Sequence, residues 1–371
     1  MKKTLAILLA LAMIFALTAI TPALAADEEI SVAMITDYGD ITDQSFNQTT
    51  YEACKEYCDA NGIEFNYFKP ASDSDSDRVS MIESAIDSGY NVIVMPGYAF
   101  AAAIKETADV YDDVTFIALD VGAGDLGDDY EIPANLFCAV YQEELCGYMA
   151  GYAAVKLGYT KLGFLGGMAV PAVVRYGYGF VQGIDAAAAE IGAEDVSVNY
   201  AYGNQFYGDA DITAAMDTWY ADGIQVVFAC GGGIFTSAAE AAQKVDGKVI
   251  GVDVDQAGII DGTYGEGMTV TSAMKGLAAT VKTLLTEVQA GNFGEYGGKI
   301  ENLGLVSENP EENYVQIPME STQFDDNFTA EDYAALVAAM FNGEVTVSND
   351  IGAAAADFAT VISVNDQGNL K

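Results

Sequence analysis

Short, nearly continuous apolar runs alternate along this chain with longer amphipathic segments, and that alternation predicts its elements. The runs Ser31–Ile35, Phe65–Phe68, Asn91–Met95, Thr115–Leu119, Lys161–Leu165, Ser197–Tyr200, Gln225–Ala229, Lys248–Val252 and Met268–Thr271 read as strands. Most lack the polar–apolar alternation of a half-exposed strand, so they are expected to be covered on both faces. Between them, residues 46–61, 78–88, 99–111, 141–157, 174–191, 209–222, 234–245 and 274–290 read as amphipathic helices. Strands separated by helices of this length predict an α/β protein with parallel sheets built from right-handed βαβ units. The series divides in two: βα units precede a long Ala-rich helix from Glu143 to Leu157, and a second series begins at Lys161. No Pro/Ser-rich linker separates the halves, so a hinge of short crossings is expected. The tail from Asn302 to Lys371 is less regular and receives no elements.

The residues ahead of the first strand have a different pattern. A basic start (Lys2, Lys3), an apolar stretch to Ile20 and Ala23-Leu24-Ala25 describe a secretory signal peptide, with cleavage expected after Ala25. The apolar stretch is short for a membrane anchor, and Pro22 interrupts it. No later segment is long and apolar enough to span a bilayer. An exported, soluble protein is expected.

Composition removes several classes of function. Asp and Glu total 55 against 15 Lys and Arg, a net charge of -40. Such a surface repels nucleic acid and anionic lipid, so both are poor partners and no nucleic acid is expected. It does not name a ligand, because a solubilising surface explains it equally well. Histidine is absent, which excludes His-based triads, general bases and metal ligands. Five cysteines (Cys54, Cys58, Cys138, Cys146, Cys230) with no paired CxxC motifs do not form a disulfide framework. Cys54 and Cys58, four apart on a helix, are expected as buried thiols.

In open α/β sheets a ligand binds beyond the carboxyl ends of the strands, and there carboxylates, glycines and aromatics gather. Thr36-Asp37-Tyr38-Gly39, Pro96-Gly97-Tyr98 and Asp120 follow strands of the first half. Gly166-Gly167-Met168, Gly231-Gly232-Gly233, Asp253-Val254-Asp255 and Ser272 to Lys275 follow strands of the second. Ser45-Phe46-Asn47-Gln48 matches a capping box, in which Ser45 caps a helix and Gln48 reaches back. The box does not account for Asp37, Phe46 or Asn47, which would meet at the rim; an exposed aromatic there needs a flat partner. Asp73 to Asp77 imitates a calcium loop but has Arg78 and Ser84 where glycine and glutamate are required. It is expected to be a solvated loop whose last Asp caps a helix. Tyr176 reads as core packing or as a cleft aromatic. Asp253 and Lys275 would be either paired at a hinge or ligand-bound. The three glycines at 231–233 form a tight turn whose N–H groups could hold hydroxyl oxygens, but the P-loop Lys-Ser/Thr is missing.

Several stretches together resemble the basic-membrane-protein family of ABC-transporter substrate-binding proteins, which includes purine-nucleoside receptors. They are Met34-Ile35-Thr36-Asp37 with Asp43-Gln44-Ser45-Phe46-Asn47-Gln48, then ELCGYMAGYAAVKLG, KLGFLGGMAVPAVVRYGYGF, GGGIFTSAAEAA, VIGVDVDQ and TSAMKG, in family order over residues 31–290. The resemblance implies a type I periplasmic-binding-protein fold, with two Rossmann-like lobes joined by a three-crossing hinge. Lobe I would comprise 26–143 and 268–303, and lobe II 144–267 and 304–371. It further implies that Phe46 and Tyr176 cover the two faces of a purine, with Asp37, Asn47 and Asp120 on the base edge. Gly232, Asp253 and Lys275 would hold the ribose. The expected ligand is a purine nucleoside (inosine, guanosine or adenosine), delivered by a monomer to an ABC permease without cofactor or covalent chemistry. Riboflavin, a simple sugar or a nucleoside-sensing role stay open, as does a nucleoside hydrolase using Asp253 and Asp255. This chain departs from the family in Tyr176, where the family has phenylalanine, in Gln44, in Gly39-Asp40, and in having no lipobox cysteine near Ala25.

Overall fold

A computed structural model describes residues 29–127 and 129–371; the expected signal peptide lies outside the described residues. The first series runs β1 (Ser31–Ile35), α1 (Phe46–Asn61), β2 (Glu64–Phe68), α2 (Asp75–Asp87), β3 (Val92–Pro96), α3 (Ala101–Thr107), β4 (Thr115–Leu119), α4 (Ala123–Leu126) and β5 (Leu136–Tyr141). The second runs α5 (Glu143–Lys156), β6 (Lys161–Gly166), α6 (Pro171–Ile191), β7 (Ser197–Tyr202), α7 (Ala210–Ala221), β8 (Val226–Cys230), α8 (Phe235–Gln243), β9 (Lys248–Asp253), α9 (Ala257–Tyr264) and β10 (Thr269–Lys275). The chain ends with α10 (Leu277–Gln289), β11 (Lys299–Leu303), β12 (Val315–Gln316), α11 (Ala330–Phe341) and β13 (Ser363–Asn369).

The apolar runs are buried on both sides, as their composition requires. β3 and β4 are buried throughout, and each of their faces meets helices. The strands form two sheets, ordered β11-β5-β4-β3-β1-β2 and β12-β10-β9-β8-β6-β7-β13. Every pairing is parallel except β10 with β12. The architecture is therefore the α/β, two-lobe arrangement expected from the alternation.

The expected lobe boundary differs at one place. β10 pairs with β9 in the second sheet, so the chain leaves that sheet after Lys275 rather than before residue 268. Only β11 from the 268–303 stretch joins the first sheet. The register explains this: Ser272 to Met274 lie beside Gly251 to Asp253, continuing the order set by β8 and β9. The sequence reading also lacked β5, α9 and the three late strands; β12 and β13 both add to the second sheet.

The chain passes between the sheets after Tyr141, after Lys275, and between Leu303 and Val315. These crossings bond to one another: Gln142 N donates to Leu303 O at 3.0 Å, Gly276 N to Tyr314 O at 2.7 Å, and Tyr314 N to Gly304 O at 3.1 Å. Beside them α5 and α6 pack with unusual closeness. A Cβ on Gly179 would fall 2.0 Å from Glu144 O, and one on Gly147 would fall 2.2 Å from Tyr176 O. Any side chain at either position would force the helices apart. That approach presents Glu143 from α5 to Arg175 from α6.

Candidate ligand-binding cleft

The carboxyl ends of the two sheets face each other across a cavity of ≈ 1030 Å³. Asp37 follows β1, Tyr98 follows β3 and Asp120 follows β4; Met168 follows β6, Phe206 follows β7, and Gly231 to Gly233 follow β8. Asp253 ends β9 and Lys275 ends β10. All eight residues singled out in the sequence (Asp37, Phe46, Asn47, Asp120, Tyr176, Gly232, Asp253 and Lys275) line this cavity. Asp120 (φ 58) and Asp253 (φ 65) adopt left-handed backbone. That conformation is uncommon for non-glycine residues and recurs where a side chain is aimed for function.

The first-lobe end is an amide–carboxylate lattice. Asp43 accepts from the backbone N–H of Ser45 (3.0 Å), Asn47 (2.9 Å) and Gln48 (3.1 Å), and from Asn47 Nδ2 (3.0 Å). It thereby satisfies the free N–H groups at the start of α1. The expected capping box is therefore corrected: Ser45 makes no side-chain cap, and Gln48 Oε1 accepts from Gln44 N. Relieved of capping, Ser45 Oγ donates to Asp253 Oδ2 across the cleft at 2.5 Å. Asn47 Nδ2 also donates to Asp37 Oδ1 at 3.1 Å, while Gly39 N donates to the same oxygen at 2.5 Å. Burial pushes Asp37 up to about 6, against the lowering effect of those two donors.

The hinge end is an ionic cluster. Lys275 Nζ lies 2.5 Å from Asp120 Oδ2, 3.5 Å from Glu143 Oε1 and 3.7 Å from Asp253 Oδ1. Glu143, fully buried, is shared with Arg175 Nε at 2.7 Å. Burial pulls the Lys275 ammonium down, but Asp120, Asp253 and Glu143 together outweigh it and hold it above its ordinary range. Burial also raises Asp120 to about 6, more than Lys275 lowers it. The ammonium sits 4.8 Å from the centre of the Phe46 ring and 5.7 Å from that of Tyr176.

Tyr176 lines the cavity but is enclosed. Its ring is 2% exposed and packs edge-on against Phe228 at 5.9 Å, with the hydroxyl 3.5 Å from Asp253 Oδ1. Phe206, on the loop after β7, is the half-buried second-lobe ring, and it stacks on Tyr38 of the first lobe at 6.2 Å. The glycine turn exists partly for this loop. Gly232 has φ 52, a Cβ there would fall 2.8 Å from Phe206 O, and Gly233 N donates to that carbonyl.

The acidic run Asp73 to Asp77 differs from its expected role. Ser74 caps α2 by accepting from Asp77 N, and Asp77 lies inside the helix. Asp73 and Asp75 bind the buried guanidinium of Arg78, which lies under the Tyr38 ring. Among the described residues no group of three His, Cys, Asp or Glu could hold a metal ion. All five cysteines are buried thiols, and Cys230 lines the cleft.

Sequence reading missed Asp43, Glu143, Arg175 and Phe206. Arg175 had a signal, as the one cation within Gly166 to Phe180; Phe206 had none beyond following a strand.

Two sheets, three crossings and a cleft lined by carboxylates, aromatics and aliphatic side chains are the geometry of a solute-binding protein, and the comparisons agree. The profile of the family described as ABC transporter substrate-binding protein PnrA-like matches residues 30–337. The chain belongs to this family. A CD4+ T-cell-stimulating antigen of Listeria monocytogenes is 29% identical over 75% of this chain and 80% of its own. The ABC transporter nucleoside-binding protein BmpA of Lactococcus lactis is 26% identical over 75% of this chain and 79% of its own. The solved structure of an ABC transporter solute-binding protein from Aeropyrum pernix has a TM-score of 0.66 at 21% identity, over 89% of this chain and 90% of that one, and shows the type I fold.

PnrA-like proteins are extracytoplasmic substrate-binding components of ABC transporters, not enzymes. Their partners are a small-molecule ligand and a permease. No described helix is long and apolar enough to cross a membrane.

Proposed function

We propose that this protein captures a purine nucleoside between its lobes and hands it to the permease. One observation carries the reading: Asn47 Oδ1 and Asp120 Oδ1 are buried acceptors without a partner, and both side chains line the same cleft. Such groups are costly unless a ligand supplies donors. A purine edge offers donors to amide and carboxylate oxygens, and its faces need flat partners. Phe46 supplies one face and Phe206, rather than the enclosed Tyr176, the other. Asp37, Asn47 and Asp120 then address the base, while Gly232, Asp253 and Lys275 address the ribose hydroxyls.

The charge balance favours nucleosides over nucleotides. The cavity-lining cations are already committed: Lys69 to Asp40, Arg175 to Glu143, and Lys275 to Asp120. A phosphate would enter a carboxylate-rich cleft with no uncommitted cation among the described lining residues to receive it. The nucleoside-binding name of the Lactococcus relative supports the same reading. Closure is the mechanism: Ser45 to Asp253, Gln256 Nε2 to Gln44 O at 3.0 Å, and Tyr38 on Phe206 join the lobes over the ligand space.

Thermal shift tests this directly. Inosine, guanosine or adenosine should raise the melting temperature of the purified protein, and their monophosphates should do so far less. Stabilisation by ribose or riboflavin, with none by any nucleoside, rejects the proposal.

A further inference from the structure

The family match ends at residue 337, yet the chain beyond it returns to the cleft. After α11 it runs back along α6, held by two side chains of that helix. Gln182 Nε2 donates to Ser348 O at 3.0 Å and Gln182 Oε1 accepts from Ser348 N at 2.8 Å. Tyr178 OH donates to Ala353 O at 2.8 Å, and its ring meets Phe358 at 5.2 Å.

Farther along, Asp185 fixes the segment with its whole carboxylate. It accepts from Thr360 N (2.7 Å), Thr360 Oγ1 (2.6 Å) and Val361 N (2.8 Å). β13 then adds to the sheet beside β7, and Gln367 accepts from the indole N–H of Trp219. Between the Ser348 and Ala353 anchors, one apolar side chain stands out. Ile351 is 45% exposed and lines the cleft alongside Val170 and Pro171 from the start of α6.

Ile351 is not core packing, because nearly half of it faces solvent; anchors on both sides hold it beside the apolar side chains that line the cleft at the start of α6. It is well placed to be covered by a ligand. We infer that residues 342–371 form a strap completing the ligand site, with Ile351 as an apolar lip that touches the bound nucleoside and favours an uncharged outward edge. The identity of that ligand rests on the nucleoside reading above; the existence of the lip does not. Because the anchors lie on α6, β7 and α7, all elements of the second sheet's lobe, the lip travels with the second lobe when the cleft closes.

The test measures inosine binding calorimetrically to the full chain, to Ile351→Ala and to Asp185→Ala. Ile351→Ala should weaken inosine about fivefold, the equivalent of about 40 Å² of lost apolar contact, with the melting temperature of the free protein unchanged. Asp185→Ala, which frees the strap far from the cleft, should weaken binding by a similar factor. The double variant should be no weaker than either single one. If Asp185→Ala fails to fold, Ile351→Ala decides alone. Equal inosine affinity in the full chain and Ile351→Ala overturns the lip and leaves the nucleoside reading intact. If no nucleoside stabilises the full chain, that reading falls, and ribose and riboflavin are compared on the same two proteins. Equal shifts then overturn the lip, and a smaller shift in the variant upholds it. If none of these ligands stabilises the full chain, both inferences fall.

Discussion

The two ends of the cleft bury carboxylates by opposite means. At the first-lobe end Asp37 and Asp43 are held by amides and backbone N–H groups, and burial raises the pKa of both. At the hinge end Asp120, Glu143 and Asp253 surround Lys275, and Glu143 also holds Arg175. The contrast would give the proposed nucleoside two kinds of wall. Hydrogen-bonded carboxylates supply directed acceptors, whereas the ionic cluster fixes geometry where the lobes articulate. Removing a member should therefore be tolerated at one end and not at the other.

The largest effect tests that claim. Lys275→Met would leave three carboxylates buried around an apolar side chain, and breaking such a cluster costs about 3–5 kcal/mol. Urea unfolding should show the loss. Asp37→Asn, which keeps a polar group of the same shape, should change stability by no more than about 1 kcal/mol. Comparable losses for the two variants would erase the distinction between the ends.

Next in size is the aromatic pair. Phe206→Ala should weaken inosine by about 1–3 kcal/mol, the range for loss of a stacked base partner. Tyr176→Phe should change it by less than about threefold, since only a 3.5 Å hydroxyl contact to Asp253 is lost. Calorimetric titration of both variants separates the exposed ring from the enclosed one. Unaltered binding in Phe206→Ala would return the second stacking face to Tyr176.

Acidity should then separate the ends in solution. A base edge that donates to ionised Asp37, whose folded value lies at about 6, binds more weakly as that carboxylate takes up a proton. Inosine affinity should thus be level above neutrality and fall about tenfold by pH 5. Asp120, also raised to about 6, steepens the fall. The free protein responds with the opposite sign. A carboxylate with a raised folded value contributes stability below its ordinary value near 3.8, and that contribution is lost as pH rises through about 6. Asp37→Asn should flatten the binding profile; an unchanged slope would assign it to another group.

How much of this was legible in the sequence differs between fold and site for physical reasons. The runs at β1, β4 and α1 were readable to the residue because both-face burial and helical spacing leave strong periodic marks. β5 was not, because its apolar run passes within two residues into the apolar helix α5, so nothing marks the boundary. β13 reads Ser-Val-Asn-Asp-Gln-Gly-Asn, and its place at a sheet edge rests on backbone pairing that side-chain pattern does not encode. In the cleft, strand-end positions identified Asp37, Asp120, Asp253 and Lys275. The partners that hold them, Glu143 and Arg175, come from two helices whose closeness depends on glycine–backbone contacts. The strap was illegible because Ile351 becomes notable only through anchors more than 160 residues away in sequence.

The smallest effect concerns the feature that sequence reading assigned to the wrong side chain. A capping box would make Ser45 the stabilising group at the start of α1, whereas the structure assigns that work to Asp43, with three backbone N–H donors. Asp43→Ala should therefore lower stability by about 1–2 kcal/mol, the upper part of the range for losing an N-terminal cap. Ser45→Ala should lower it less in the free protein, because its hydroxyl bonds Asp253 on the opposite lobe. The same substitution should instead appear in ligand binding, since it removes a contact that exists only with the lobes together. Equal stability losses would mean that Ser45 serves the helix after all. A binding defect confined to Ser45→Ala would place it with the closing contacts, and would make α1 the element through which the amide-lined end answers the ionic one.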